Sequence, residues 1–197
     1  MAIYHLEAKI VSRGAGRSAV AAAAYLSCSR MLNEYDGVQH DYTRKQGLGW
    51  RQVFLPATAP AEWQDRETLW NAVEETETAK DSRLAREFVA ALPIELSREE
   101  QIQLLQDFIK EQFVADGMCA DAAIHDPYPP GHNPHCHIML TMRAIDENGK
   151  WLPKSRKVYD LDENGERIRL PSGNRKSHKE NKSYYRHFTV INFAKPY

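Results

Sequence analysis

The chain is predicted to be an α+β protein, with a central antiparallel or mixed sheet flanked by helices. Two observations carry this. The predicted elements run β-α-β-α-β-α-β-β, and the closing strands are joined by short turns, two of which contain Asn-Gly (Asn148-Gly149 and Asn164-Gly165). The first strand is not followed by a glycine-rich phosphate loop of the GxGxxG or Walker type, which argues against a doubly wound parallel sheet.

Each element has a local reason. Ile3–Val11 alternates as a strand and ends in the basic turn Ser12-Arg13-Gly14-Ala15-Gly16-Arg17. Ser18 caps a helix, SAVAAAAYLSCSR, built largely from the best helix former. Asn33–Asp41 reads as polar turn. Arg51–Leu55 is a short strand closed by Pro56, and Arg66–Ala79 is an acidic amphipathic helix. Leu84–Leu92 is a strand ended by Pro93. Ser97 and Glu100 form a capping box that opens the helix Arg98–Ala115, which stops at Gly117. Met118–His125 and His135–Ile145 are strands, separated by a proline-rich loop over 127–134.

With 197 residues, 42% hydrophobic and 27% charged, the chain has the size and composition of one cored domain, with room for an appendage. No run approaches about 18 apolar residues, so no membrane insertion is expected. The N-terminus MAIYHLEAKI lacks the basic and apolar regions of a secretory signal. Three widely spaced cysteines, Cys28, Cys119 and Cys136, make neither a disulfide framework nor a cysteine-rich zinc site, and a reducing cytoplasm is expected. The net charge of −1 is unevenly spread: 7 Lys/Arg against 4 Asp/Glu over 1–60, 6 against 14 over 61–120, and 13 against 9 over 121–197. The acidic middle suits solvated helix surface. The two basic ends form a nucleic-acid face if they meet in space, and are ordinary scattered charge if they do not.

The chemistry concentrates in IHDPYPPGHNPHCHIMLTMR. His135 and His137, two apart on a strand, point to one face about 7 Å apart. His125 ends the preceding strand, and the proline-rich loop can bring it alongside as a third ligand. Three neutral imidazoles leave a divalent ion with its charge intact and with open positions, the pattern of a catalytic metal site. His132, within the loop, is a poorer ligand candidate. Tyr25 sits on the alanine helix just after the turn holding Arg13 and Arg17. Its spacing alone is that of a core aromatic, although a phenol becomes a useful nucleophile where a metal polarises a phosphodiester. Glu87 is an acid within an apolar strand. It can orient a metal-bound histidine, accept a proton, or pair with Arg83 or Arg86.

These segments resemble the MobA/MobL family of plasmid mobilisation relaxases. The resemblance lies in MAIYHLEAKIVSRGAGRSAVAAAAYLS, HDYTRK (His40–Lys45), ETLWNAVE (Glu67–Glu74), LAREFVAALP (Leu84–Pro93) and HIMLTMR (His137–Arg143). It covers about residues 1–170 and implies the fold of the HUH endonucleases. The implied activity is metal-dependent, strand-specific nicking and rejoining at a plasmid origin of transfer, through a 5′-phosphotyrosyl link. Tyr25 is then the nucleophile, His125, His135 and His137 the metal ligands, and Glu87 a proton acceptor or histidine orienter. Magnesium or manganese is the implied ion. By donor type alone, three imidazoles also admit zinc, nickel or cobalt. Single-stranded DNA is the implied partner, together with relaxosome accessory proteins, in the bacterial cytoplasm. Arg13, Arg17, Arg44 and Lys45 are the expected DNA-backbone contacts, and tyrosine or tryptophan rings are expected to stack unpaired bases. Past residue 170 the chain leaves the family pattern, so a relaxase domain over 1–170 and an atypical basic tail over 171–197 are expected. A metal-activated-water phosphodiesterase using the same histidines, or a catalytically inactive DNA-binding module, are the competing readings.

Overall fold

A computed structural model describes residues 5–128 and 133–181; His132 and the end of the tail lie outside the described residues. The main sheet has five strands: β1 (Leu6–Ser12), β4 (Leu48–Phe54), β5 (Arg83–Ala91), β6 (Met118–His125) and β7 (His135–Ala144). Their spatial order is β1-β5-β7-β6-β4, and every pairing is antiparallel. The expected α+β class with an antiparallel sheet therefore holds, with no parallel pair in this sheet.

Helices α1 (Ala19–Ser27) and α2 (Arg66–Thr76) cover one face of the sheet. Val11, Ala85, Cys119, Ala123 and Met139 meet Val20, Ala23, Leu26, Leu69 and Trp70 in that layer. Alanine at positions 19, 23 and 24 of α1 lets its backbone lie close to the strands, and all three are fully buried. Helix α3 (Arg98–Ile109) continues as a π-turn over Lys110–Val114. Phe113 of that turn stacks on Phe88 of β5 with ring centres 6.1 Å apart. Strand alternation sends Glu87 and Phe88 to opposite faces, so α3 packs on the face away from Glu87.

The caps are as the sequence predicts. Ser18 accepts from the Ala21 amide, and Ser97 and Glu100 complete a capping box. Three expectations are corrected. The first helix stops at Ser27, because Cys28 takes the left-handed conformation (φ 51°). The polar segment Asn33–Asp41 is no mere turn: β2 (Arg30–Asn33) and β3 (Val38–Asp41) pair as an antiparallel hairpin. Asn33, 1% exposed, anchors it by donating to Ser18 Oγ at 3.3 Å. Asn71 of α2 donates to Leu32 O at 2.9 Å and accepts from the Glu34 amide at 2.9 Å. The strand expected from Arg51 starts earlier, at Leu48.

One buried ion pair ties α2 to the sheet. Asp121, fully buried on β6, accepts from Arg66 Nε at 2.7 Å and from Trp70 Nε1 at 3.0 Å. Burial nevertheless holds its carboxyl above the ordinary range.

The chain divides into two compact units between Trp151 and Leu152. In the second, β8 (Ser155–Tyr159) pairs antiparallel with β9 (Ser177–Asn181). The Asn-Gly signals mark real turns. Asp146 and Asp162 each accept from the amides two and four residues on, and Gly149 and Gly165 take positive φ. The three cysteines are free thiols, and burial pushes those of Cys119 and Cys136 up to about 12.

Candidate active site

The histidine cluster follows from register. On adjacent strands His125 stands opposite His135, and Ala123 opposite His137. His125, His135 and His137 therefore share one sheet face. Their ring centres are 5.0–5.6 Å apart, and one nitrogen from each falls within 4.8 Å of the others. Burial lowers the pKa of His125 to about 4 and also depresses that of His135, so these imidazoles are neutral at pH 7.

Two ring orientations are fixed from behind. Glu87 Oε1 accepts from His137 Nδ1 at 3.1 Å, which leaves the Nε2 lone pair facing the cluster. A carbonyl can only accept, so His125 Nε2 donates to Leu26 O at 2.8 Å and Nδ1 keeps its lone pair. A ligating histidine characteristically donates its other N–H to a carboxylate or carbonyl. The donor set fits a divalent ion held by His125 Nδ1, His137 Nε2 and His135, provided that Lys45, which donates to that Nδ1 at 3.2 Å, gives up the bond.

Glu87 is bonded through both of its carboxylate oxygens. Its Oε2 accepts from Arg17 Nη2 at 3.3 Å, so both oxygens are engaged. The hydrogen bond from His137, with Arg17 adding to it, holds its pKa below the usual carboxylate range. A carboxylate engaged in this way suits orienting His137 better than taking up a proton. Its partners are His137 and Arg17, not the neighbours Arg83 or Arg86 considered from sequence.

Tyr25 is not the core aromatic its spacing suggests. Its ring is 45% exposed and meets Tyr42 edge-on with centres 5.3 Å apart. The last three carbonyls of α1 each meet a side chain from outside the helix, Tyr25 O sharing its bond with the Cys28 amide. Lys45 Nζ donates to Tyr25 O at 3.3 Å, His125 to Leu26 O, and Arg51 to Ser27 O. The helix end that carries the phenol is thereby bonded to the histidine strand. Lys45 also lies 3.8 Å from the Tyr25 ring centre and donates to His125 Nδ1 at 3.2 Å. A single ammonium thus touches both the phenol ring and the imidazole cluster, a role its sequence position gave no sign of.

A cleft of about 680 Å³ opens over this face, and its lining includes Tyr25, Glu87, His137, Arg17, Tyr35 and Tyr42. Of the expected DNA contacts, Arg17 and Arg13 line it and Lys45 stands beside Tyr25. Arg44 is exposed on the adjoining turn. Arg13 is heavily engaged: it pairs with Glu74 Oε2 at 2.7 Å and donates to the carbonyls of Glu74, Glu77 and Ala79.

Residues 17–194 match the model of the MobA/MobL family, so the match runs on past residue 170, where the sequence was expected to leave the family pattern. The chain belongs to the MobA/MobL family. It is 44% identical over 184 residues to the conjugal transfer protein TraA of Rhizobium radiobacter, covering 88% of this chain and 16% of that protein. It is 42% identical over 127 residues to the mobilization protein MobL of Acidithiobacillus ferridurans, covering 64% of this chain and 33% of that one. The chain thus spans a third or less of these relatives. A solved structure described as the molecular basis of vancomycin resistance transfer in Staphylococcus aureus shares the fold. Its TM-score is 0.72 at 35% identity, covering 79% of this chain and 78% of that one.

Proposed function

We propose that this chain nicks and rejoins one DNA strand at a plasmid origin of transfer during conjugative mobilisation, by way of a 5′-phosphotyrosyl link on Tyr25. The observation that carries the reading is the shared cleft: Tyr25, Glu87 and His137 line one depression, in a chain of a mobilisation family.

In this reading the Tyr25 oxygen attacks the scissile phosphorus in line and the bond to the 3′ oxygen breaks. The 3′ oxygen takes up a proton, and the phenol proton leaves to solvent across the exposed ring. One phosphodiester replaces another, so rejoining needs no ATP. A divalent ion, when bound by the three histidines, supplies positive charge against the non-bridging phosphate oxygens. Imidazole donors suit manganese better than magnesium, which favours oxygen ligands. Glu87 holds His137 in the ligating orientation, and the Lys45 ammonium offsets negative charge gathering between phenol and phosphate. No helix among the described residues is long and apolar enough to cross a membrane. Action on plasmid DNA in the bacterial cytoplasm is part of this reading. Relaxosome accessory proteins belong to the same reading.

The test is a labelled single-stranded oligonucleotide carrying the origin sequence, incubated with the protein and manganese. A covalent protein–DNA band that disappears in Tyr25→Phe is expected. Cleavage that survives Tyr25→Phe points to an activated-water phosphodiesterase. Binding with no cleavage points to an inactive DNA-binding module. Either outcome overturns the proposal.

A further inference from the structure

The most exposed tyrosine lining the cleft is Tyr35, in the β2–β3 turn, 54% exposed. One face of its ring lies on the Arg13 guanidinium, 3.9 Å from carbon to ring centre. That guanidinium is fixed in place. Glu74, 2% exposed, takes it with one carboxylate oxygen at 2.7 Å and holds the Ala19 amide with the other at 2.7 Å. The backbone carbonyls of Glu74, Glu77 and Ala79 take further guanidinium protons.

The turn carrying Tyr35 is also fastened. Asn71 bonds the Glu34 amide, and Asn33 Oδ1 accepts from the Tyr35 amide at 3.3 Å. A rigid phenol ring backed by an immobilised cation loses little freedom when a planar ligand stacks on it. Lys9 and Arg17 line the same cleft, paired with Glu7 and Glu87, so the cleft also holds cations for a phosphodiester backbone.

We propose that Tyr35 is a stacking platform for one unpaired nucleobase of a single strand running through the cleft, with Arg13 as the fixed backing of that platform. The inference rests on the DNA-processing reading above and assigns it a subsite. Arg13 then acts through the Tyr35 ring and not as a phosphate contact. Stacking of this kind tolerates any base, so the subsite grips the strand without reading its sequence.

The experiment compares two fluorescent 20-mers, oligo-dT and a wholly abasic strand of equal charge, by anisotropy in EDTA with the full chain. Wild-type protein is expected to prefer oligo-dT. In Tyr35→Ala the affinity for oligo-dT should fall about tenfold, while that for the abasic strand stays within about twofold. Tyr35→Phe should retain the wild-type preference. A Tyr35→Ala protein with an unchanged melting temperature and an unchanged preference overturns this inference alone. Equal losses on both strands overturn it as well, since they mark a general charge or folding effect. Wild-type protein that binds neither strand removes the DNA reading beneath it.

Discussion

His125 Nε2 donates to the carbonyl oxygen of Leu26 at 2.8 Å, bonding an imidazole of β6 to the residue that follows the exposed phenol. The same ring therefore terminates helix α1, while its other nitrogen faces the histidine cluster and accepts from Lys45. Replacing it should have two effects. His125→Ala leaves the Leu26 carbonyl without this donor at a buried helix end. That should cost about 1–3 kcal/mol in a chelator-treated denaturation experiment, as well as manganese affinity. His135→Ala, at a half-buried position, should lose manganese affinity with a smaller stability change. Equal destabilisation by the two variants would show that the Leu26 bond contributes nothing special.

Glu87 offers a separable test of ligand orientation. Glu87→Gln keeps the size of the side chain and removes the charge that favours the Nδ1-protonated tautomer of His137. Manganese affinity by calorimetry should drop about 10–100-fold, with the fold intact by circular dichroism. Hydrogen bonding to His137 and Arg17 depresses the pKa of Glu87, so its protonation should not set the acid limit of cleavage. A wild-type acid limb that vanished in Glu87→Gln would contradict this assignment.

Acid should destabilise the metal-free protein in a defined direction. An unfolded histidine titrates near 6.5, whereas burial beside Lys45 depresses folded His125 to about 4. The unfolded chain thus takes up its proton first. The stability linked to this ring is complete above about pH 6.5 and is lost as pH falls from there toward 4. Denaturation midpoints in EDTA should decline across that window, and His125→Gln should flatten part of the decline. A midpoint in the wild type that rises over the same window would reverse the sign and refute the environment described for His125.

How much of this was legible in the sequence depends on the range of the interaction. His135 and His137 announce themselves through a period of two. Ser18, Ser97 and Glu100 announce helix starts, because capping acts within three residues. The β2–β3 hairpin was invisible for the opposite reason. Few of its side chains are apolar, and what fixes it is Asn71, reaching the Glu34 amide across 37 positions. The pairing of β8 with β9 likewise joins Ser155 to Asn181, with two turns between them. Lys45 and Arg13 read from sequence only as cations for the DNA backbone. Their actual partners, His125 and Glu74, lie 80 and 61 residues away. Tyr25 was the reverse case: its alanine neighbours suggested a core position, yet they are small so that α1 can lie close to the sheet while the ring faces outward.

The buried pair of Asp121 and Arg66 lies on the sheet face that carries the histidines, with Asp121, Ala123 and His125 pointing the same way along β6. Asp121 sits under the start of α2 and accepts from two donors of that helix, Arg66 Nε and Trp70 Nε1. Its carboxyl is fully buried while Arg66 is 13% exposed, so the carboxylate bears most of the desolvation. Removing it should still be costly, because a largely buried guanidinium and a fully buried indole N–H would then lose their acceptor. Asp121→Ala is expected to destabilise the fold by about 3 kcal/mol in urea titration. The double variant Asp121→Leu with Arg66→Met, which replaces charge by apolar volume, should recover much of that loss. The double variant separates two accounts of the pair. Recovery means the ion pair positions α2 more than it stabilises the fold. A double variant as unstable as Asp121→Ala means the pair, with its indole hydrogen bond, is itself a net source of stability.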